Sequence, residues 1–218
     1  MTINQLIQAA KEFCVTEDNL YYANLYGVTD GKAIGTFVEH RFQDFLANNY
    51  SFQKGSSAKG LDLPLLNTDI KVTSIKQPQS SCPFKNSSQK IFGLGYNLIL
   101  FVYNKIDCDS TKKGALNYLS CTFIDKSRTA DYQTTTGIVN IINNNGNSDD
   151  IFAFLSNHNI PADDVTLANM AEEILKNPPQ IGYLTISNAL QWRLQYKRVV
   201  ELSEEINGIT NIVRYGSK

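Results

Sequence analysis

The chain has 218 residues, 42% of them hydrophobic, which suffices for a sizeable core and for one or two domains. No apolar run approaches the ~18 residues of a membrane span, and the N-terminal MTINQLIQAAKEFC lacks the basic segment and long apolar stretch of a secretory signal, so neither membrane insertion nor export is expected. A net charge of −1 excludes a protein coated in positive charge, and cysteines at 14, 82, 108 and 121 contain no CxxC pair to clamp zinc, so reduced thiols in a cytosolic protein are expected.

In chain order, Ile3, Leu6, Ile7, Ala9 and Ala10 repeat at helical spacing and predict a short first helix. GVTDGKAIG reads as a turn, including its Asp30-Gly31-Lys32 triplet. Phe37, Phe42, Phe45 and Leu46 then mark one face of a second helix, with Glu39, Arg41 and Asp44 on its other faces. After the polar loop SFQKGSSAKG, alternating Ile70 and Val72 between Asn67-Thr68 and Pro78 predict a strand. YNLILFVYN, 96–104, is apolar almost throughout, as in a strand covered on both faces, and LNYLSCTFI makes a third. TTTGIVNIINN, DDIFAFLSN and TLANMAEEILKN are helical in period, the last stopping at Pro178-Pro179. This order predicts an α/β core over residues 1–130 and a helical portion over 131–218. From 180 on, a long basic helix followed by Asn207-Gly208 and two short β-like pieces suggests a winged helix-turn-helix.

Charge is unevenly spread. Between Lys54 and Lys90 six lysines face two acids, a local balance of +4, and those acids are Asp62 and Asp69 in GLDLPLLNTDIKVTSIK. In a strand, Asp69, Lys71 and Thr73 share one side while Ile70 and Val72 share the other. PLLNT is about long enough for a tight hairpin that brings Asp62 to Asp69. Two carboxylates at close range repel, and a divalent cation between them removes that cost; hard oxygen ligands with room for water suit magnesium. Such an ion lowers the pKa of a bound water and offsets charge on a phosphoryl oxygen, while Lys71 orients or deprotonates the attacking water. That combination is phosphodiester hydrolysis. Chance alone produces acid-x-lysine triplets, as Asp30 to Lys32 shows; it accounts less well for a second acid at hairpin distance in the most basic part of the chain.

Gly60-Leu61-Asp62 with Asp69-Ile70-Lys71 and the following Val72-Thr73 resembles the PD-(D/E)XK nuclease motif, most closely that of type II restriction endonucleases, several of which have Asp-Ile-Lys followed by threonine. The resemblance spans residues 35–125 and departs at its first position, where glycine and leucine replace the family's proline. It implies a restriction-endonuclease-like central mixed sheet flanked by helices. Asp62 and Asp69 would hold Mg2+, the Ile70 carbonyl would be a further ligand, Lys71 would contact the attacking water, and Glu39 would match the auxiliary acid; a solvated helix charge is the plainer account of Glu39. The implied products carry 5′-phosphate and 3′-hydroxyl ends, and the implied setting is the cytoplasm of a bacterium or archaeon.

A DNA substrate needs phosphate neutralisation, for which Lys54, Lys59, Lys76, Lys85 and Lys90 are candidates. KGSSAKG lacks the order of a Walker loop and reads as a segment that touches the backbone at most. In TSIKQPQSSCPFK, Lys76, Gln77, Gln79, Ser80 and Ser81 are of types that contact base edges, although a polar surface loop has the same composition. Arg193, Lys197 and Arg198 fall on the expected basic helix with Trp192 and Tyr196, of which Trp192 reads first as a core anchor. His40 and His158 are the only histidines, and no hydrolase triad can be assembled. The expectation is a sequence-specific endonuclease acting on double-stranded DNA, as a homodimer if its site is two-fold symmetric, with monomers also known in the family. A repair or junction-resolving nuclease, and a winged-helix regulator with structural acids, are the alternatives.

Overall fold

The structure is a computed structural model and describes residues 1–50, 60–82, 85–187 and 193–214. Helix α1 (Ile3–Glu17) starts at Thr2, whose hydroxyl accepts from the Gln5 N–H while the Gln5 side chain accepts from the Thr2 N–H. It runs past the expected end because Phe13, Cys14 and Glu17 continue its buried face beyond Leu6, Ala9 and Ala10. Strand β1 (Tyr21–Tyr22) follows. Helix α2 (Gly31–Asn49) buries Ile34, Val38, Phe42 and Leu46, one residue every four. Asp30 is its N-cap, accepting from the N–H groups of Lys32 at 3.0 Å and Ala33 at 3.3 Å. The Asp30-Gly31-Lys32 triplet is thus a helix start where a turn was expected, because a carboxylate ahead of two unpaired N–H groups serves either purpose.

Strands β2 (Thr68–Ser74), β4 (Asn97–Cys108), β5 (Lys113–Ile124) and β8 (Ile209–Arg214) complete a five-stranded mixed sheet with β1. Its order is β1-β5-β4-β2, with β8 also on β5. β2 is parallel to β4, and the other pairings are antiparallel. The three expected strands are present; β4 and β5 extend beyond the apolar runs because their hairpin end carries polar residues such as Lys105 and Asp107. Seven successive residues of β4, Asn97 to Tyr103, are buried, as expected for a strand covered on both faces. One face of the sheet packs Ile70, Ile99, Phe101, Tyr103, Tyr118 and Cys121 against the buried stripes of α1 and α2. Phe13 sits among Phe42, Phe45, Phe101 and Tyr118 at ring-centroid separations of 5.1–5.7 Å.

Between β2 and β4 lie strand β3 (Gln79–Ser81) and the one-turn helix α3 (Gln89–Phe92). After β5 come helices α4 (Tyr132–Asn143), α5 (Ser148–Asn157) and α6 (Asp164–Lys176), the three read from the sequence. Ile91, Ile138, Ile151, Leu155, Ile160, Leu167, Ala171 and Ile174 form their core. The tail departs from the expected long basic helix. Strands β6 (Thr185–Ile186) and β7 (Arg193–Gln195) and the one-turn helix α7 (Lys197–Val200) take its place, and β3-β7-β6 form a second, three-stranded sheet. The reason is periodicity: Leu194 and Tyr196 are fully buried two residues apart, while Arg193 and Gln195 between and before them are exposed.

The chain divides into two compact units, Met1–Pro78 with Asn97–Ile124 and Glu204–Lys218, and Gln79–Tyr96 with Asp125–Ser203. A single cut near 130 does not describe this division, because β3 pairs with β7 and β8 pairs with β5, each across a long stretch of sequence. In the second unit Asp131 is a fixed point. Its Oδ1 accepts from the Thr134 N–H at 2.8 Å and its Oδ2 from the Ile186 N–H at 2.8 Å, capping α4 and pinning β6 to it. Asp131→Ala removes a helix cap and leaves a buried N–H unpaired, so a loss of about 2–4 kcal/mol is expected in urea denaturation. Among the described residues no helix is long and apolar enough to cross a membrane.

Candidate active site

Asp62 and Asp69 meet through local chain geometry. Leu63 and Thr68 form an antiparallel bridge, with Leu63 N–H donating to Thr68 O at 3.0 Å and Thr68 N–H to Leu63 O at 3.2 Å. Between them a 3-10 turn, Pro64–Leu66, ends on Asn67 in the left-handed region (φ 46°, ψ 46°), a conformation asparagine tolerates better than most residues. Asn97 at the start of β4 holds the turn by donating its N–H to Asn67 O at 2.8 Å and its amide to Leu66 O at 3.2 Å.

The strand then sorts its side chains. Ile70 and Val72 face the core under α1 and α2, so Asp69, Lys71 and Thr73 point to the opposite face. β2 is an edge strand, and the Ile70 N–H, on its open side, donates to Asp62 Oδ2 at 2.8 Å. N–H and C=O of one strand residue point to the same side, which puts the Ile70 carbonyl on the open edge beside Asp62. Asp69 is 7% exposed, and its Oδ2 lies 2.6 Å from Lys71 Nζ.

The electrostatics follow from this crowding. Burial, then a hydrogen bond to Asp69 and its charge, push the Asp62 carboxyl up to about 8, against the pull of the Ile70 N–H; the Glu39 charge adds to the rise. Asp62 therefore binds its proton more tightly than a free carboxyl, with Asp69 as its hydrogen-bond partner, and Asp69 is also paired with Lys71. A carboxyl raised in the folded state favours the fold most below its unfolded value near 4, and that contribution is lost as pH rises through about 8. Without divalent cations, stability is therefore expected to fall between about pH 5 and pH 8.5. Asp62→Asn should flatten the slope, which thermal melts across that range measure.

Among the described residues no group of three or more His, Cys, Asp or Glu is placed to hold a metal ion. The donor set present is two carboxylates and one carbonyl, all oxygen, with positions left for water. Two carboxylates crowded beside a backbone carbonyl, with the charge of Asp69 raising the Asp62 carboxyl, are a pair that a hard divalent cation would relieve, so the residues fit such an ion.

Glu39 lies on α2, which packs on β2, and its charge is felt at Asp62. Lys76 and Gln77 are exposed in the turn after β2, and Thr73 donates its hydroxyl to Gln77 O at 3.1 Å. Gln79, Ser81 and Arg193 fall on one face of the small sheet, whereas Ser80 is on the other, sharing a 2.6 Å hydrogen bond with the Tyr196 hydroxyl. Lys85 is exposed, and so is Lys197, 3.8 Å from Glu201. The Arg198 guanidinium lies 3.6 Å from the Tyr132 ring centroid, an internal cation–π contact where a DNA contact was expected. Lys90 is 6% exposed, and burial pulls its ammonium below the usual lysine range, so it is no surface cation for phosphates. Lys54, Lys59, the KGSSAKG loop up to residue 59 and Trp192 lie outside the described residues. Gln195, beside Gln79 across β3 and β7, was hidden by the helical reading of the tail; the alternation Arg193-Leu194-Gln195-Tyr196 was the available signal.

A family model described as type II restriction enzyme NspV matches residues 1–211. The type II restriction enzyme NspV of Nostoc sp. is 52% identical over 214 residues, which cover 98% of this chain and 97% of that relative. No solved structure matches.

Proposed function

The chain belongs to the NspV family of type II restriction enzymes, making it a site-specific deoxyribonuclease, and we propose that Asp62, Asp69 and Lys71 form its catalytic centre, with Mg2+ as the cofactor. Membership decides between the readings left open by the sequence: a repair nuclease and a winged-helix regulator both give way to a restriction endonuclease. The observation that carries the catalytic assignment is the convergence of two carboxylates and a lysine at β2, Asp69 and Lys71 on its face away from the core and Asp62 on its open edge.

Asp62, Asp69 and the Ile70 carbonyl would hold the ion, whose chemistry when bound is to lower the pKa of a water and to offset charge on the scissile phosphate. Lys71 Nζ, steered by Asp69, orients the attacking water and balances charge that builds on the phosphorus-bound oxygens. The water oxygen adds to phosphorus in line and gives up a proton to solvent, the bond to the 3′ oxygen breaks, and that oxygen takes up a proton. The ends produced are a 5′-phosphate and a 3′-hydroxyl. Glu39 is the auxiliary acid of this proposal, tuning Asp62 through its charge. Lys59, Lys76, Gln77 and Lys85 are the proposed contacts to the DNA on the chain either side of the acids, with Lys197 a further backbone contact.

The proposal extends to a restriction-endonuclease-like fold for the five-stranded sheet, to a homodimer for cutting both strands of a symmetric site, and to the bacterial or archaeal cytoplasm as its setting. Plasmid DNA incubated with Mg2+ tests it. Discrete fragments that T4 ligase rejoins, and that disappear with EDTA, are expected; cleavage unaffected by EDTA, or ends with 3′-phosphate, would overturn it.

A further inference from the structure

The small sheet separates its residues cleanly into two faces. β3 and β7 pair as Gln79 with Gln195, Ser80 with Leu194 and Ser81 with Arg193; β6 adds Thr185 beside Gln195 and Ile186 beside Leu194. Cross-strand partners project to the same side, so one face holds Ser80, Leu194 and Ile186, the last two buried. Tyr196 anchors that face through Ser80. The opposite face carries Gln79, Gln195 and Thr185 in one row and Ser81 and Arg193 in the next. Ser81, Arg193 and Gln195 are exposed.

We infer that this outward face reads base edges in the major groove of the recognition sequence, with Gln79 and Gln195 taking adenine and Arg193 taking guanine. Three independent features carry it. The first is composition: two amides, two hydroxyls and one guanidinium are base-reading groups, while a backbone-tracking surface needs a run of cations. The second is spacing. Rows two residues apart on a strand are separated by roughly 6.8 Å, two base-pair steps at about 3.4 Å each, and neighbouring strands lie ~4.8 Å apart, so a two-stranded ribbon fits a groove about 12 Å wide. The third is rigidity. Asp131 holds the Ile186 N–H at 2.8 Å, and Ser187 and Arg193 exchange bonds, Ser187 N–H to Arg193 O at 3.2 Å and Arg193 N–H to Ser187 Oγ at 3.1 Å. Side chains on strands fixed in this way are held to the tolerance that base discrimination requires. In sequence, only residues 75–78 separate β3 from the strand of Asp69 and Lys71.

The inference rests on the family's site-specific cleavage and deepens it; it does not depend on which carboxylates are catalytic. The test uses the full chain and a duplex pool randomised across the central positions. Preference is read by sequencing both the DNA retained by Asp69→Asn protein and the ends cut by otherwise wild-type protein with Mg2+. Gln195→Ala, and Gln195→Glu as a same-size variant that loses the amide donor, are expected to relax preference at an A·T position by about 10- to 100-fold; Arg193→Ala is expected to do the same at a G·C position. Other positions and the salt dependence of binding to unselected DNA should stay as in the parent for the charge-neutral Gln195→Ala, against which the salt slope is judged; the added carboxylate of Gln195→Glu weakens binding to all sequences as well, so that variant is judged on base preference alone. Unchanged preferences in all three variants would overturn the inference, and so would a uniform loss over all sequences with a shallower salt slope, which is the mark of a phosphate contact. Cleavage by Asp69→Asn itself would instead defeat the catalytic assignment and leave the reading surface to be judged on the preferences.

Discussion

Asp69→Asn is expected to lower the single-turnover rate of DNA cleavage at saturating protein by about 10³-fold or more, the loss of several kcal/mol of charge stabilisation. The side chain is almost fully buried, takes the Asp62 hydrogen bond and carries the charge that positions Lys71. Asparagine keeps the shape and discards that charge. The amide oxygen can still accept the Asp62 hydrogen bond and contact the Lys71 ammonium, so the variant should fold and still retain duplex DNA. Wild-type-like cleavage by a folded Asp69→Asn protein would refute the assignment.

Lys71→Ala is expected to slow the same step by about 10²- to 10³-fold, the range seen when one preorganised charge-stabilising donor is removed. Its ammonium is held 2.6 Å from a carboxylate on a face that water barely reaches, and charge is worth more there than at a surface. Lys71→Arg should recover little of the loss, since a planar guanidinium paired with Asp69 presents its remaining donors in other directions. Single-turnover rates at fixed pH, with melting curves to show that each variant folds, separate this effect from simple destabilisation. Equal rates for wild type and Lys71→Ala would remove Lys71 from the mechanism.

That Asp62, Asp69 and Lys71 come together was legible in the sequence because the arrangement is local. Asp62 and Asp69 are joined by one tight turn, and the two-residue alternation of β2 decides which face each side chain takes. The central strands and α4 to α6 were legible for the same reason, each carrying its own period. Three things were not. The start of α2 at Asp30 was missed because a capping carboxylate and a turn carboxylate look alike without the N–H groups they serve. Burial of Lys90 goes with a contact distant in sequence, its carbonyl accepting from the Asp131 N–H at 3.0 Å, which no local pattern encodes. The tail's basic residues also fit one face of a helix, and only Leu194 and Tyr196, buried two residues apart, carry a strand's period. Arg193 accordingly sits on a strand surface beside Gln195, and the Arg198 guanidinium lies over the Tyr132 ring.

The most direct measurement maps the ion itself. Iron(II) supplied in place of magnesium, with ascorbate and peroxide, generates hydroxyl radicals that cut the polypeptide next to the bound metal. Cuts are expected at residue 62 and at residues 69–71 in the wild type, suppressed by excess Mg2+ and absent in Asp69→Asn. Cuts confined to other parts of the chain, or an unchanged pattern in Asp69→Asn, would contradict the placement of the cation between Asp62 and Asp69.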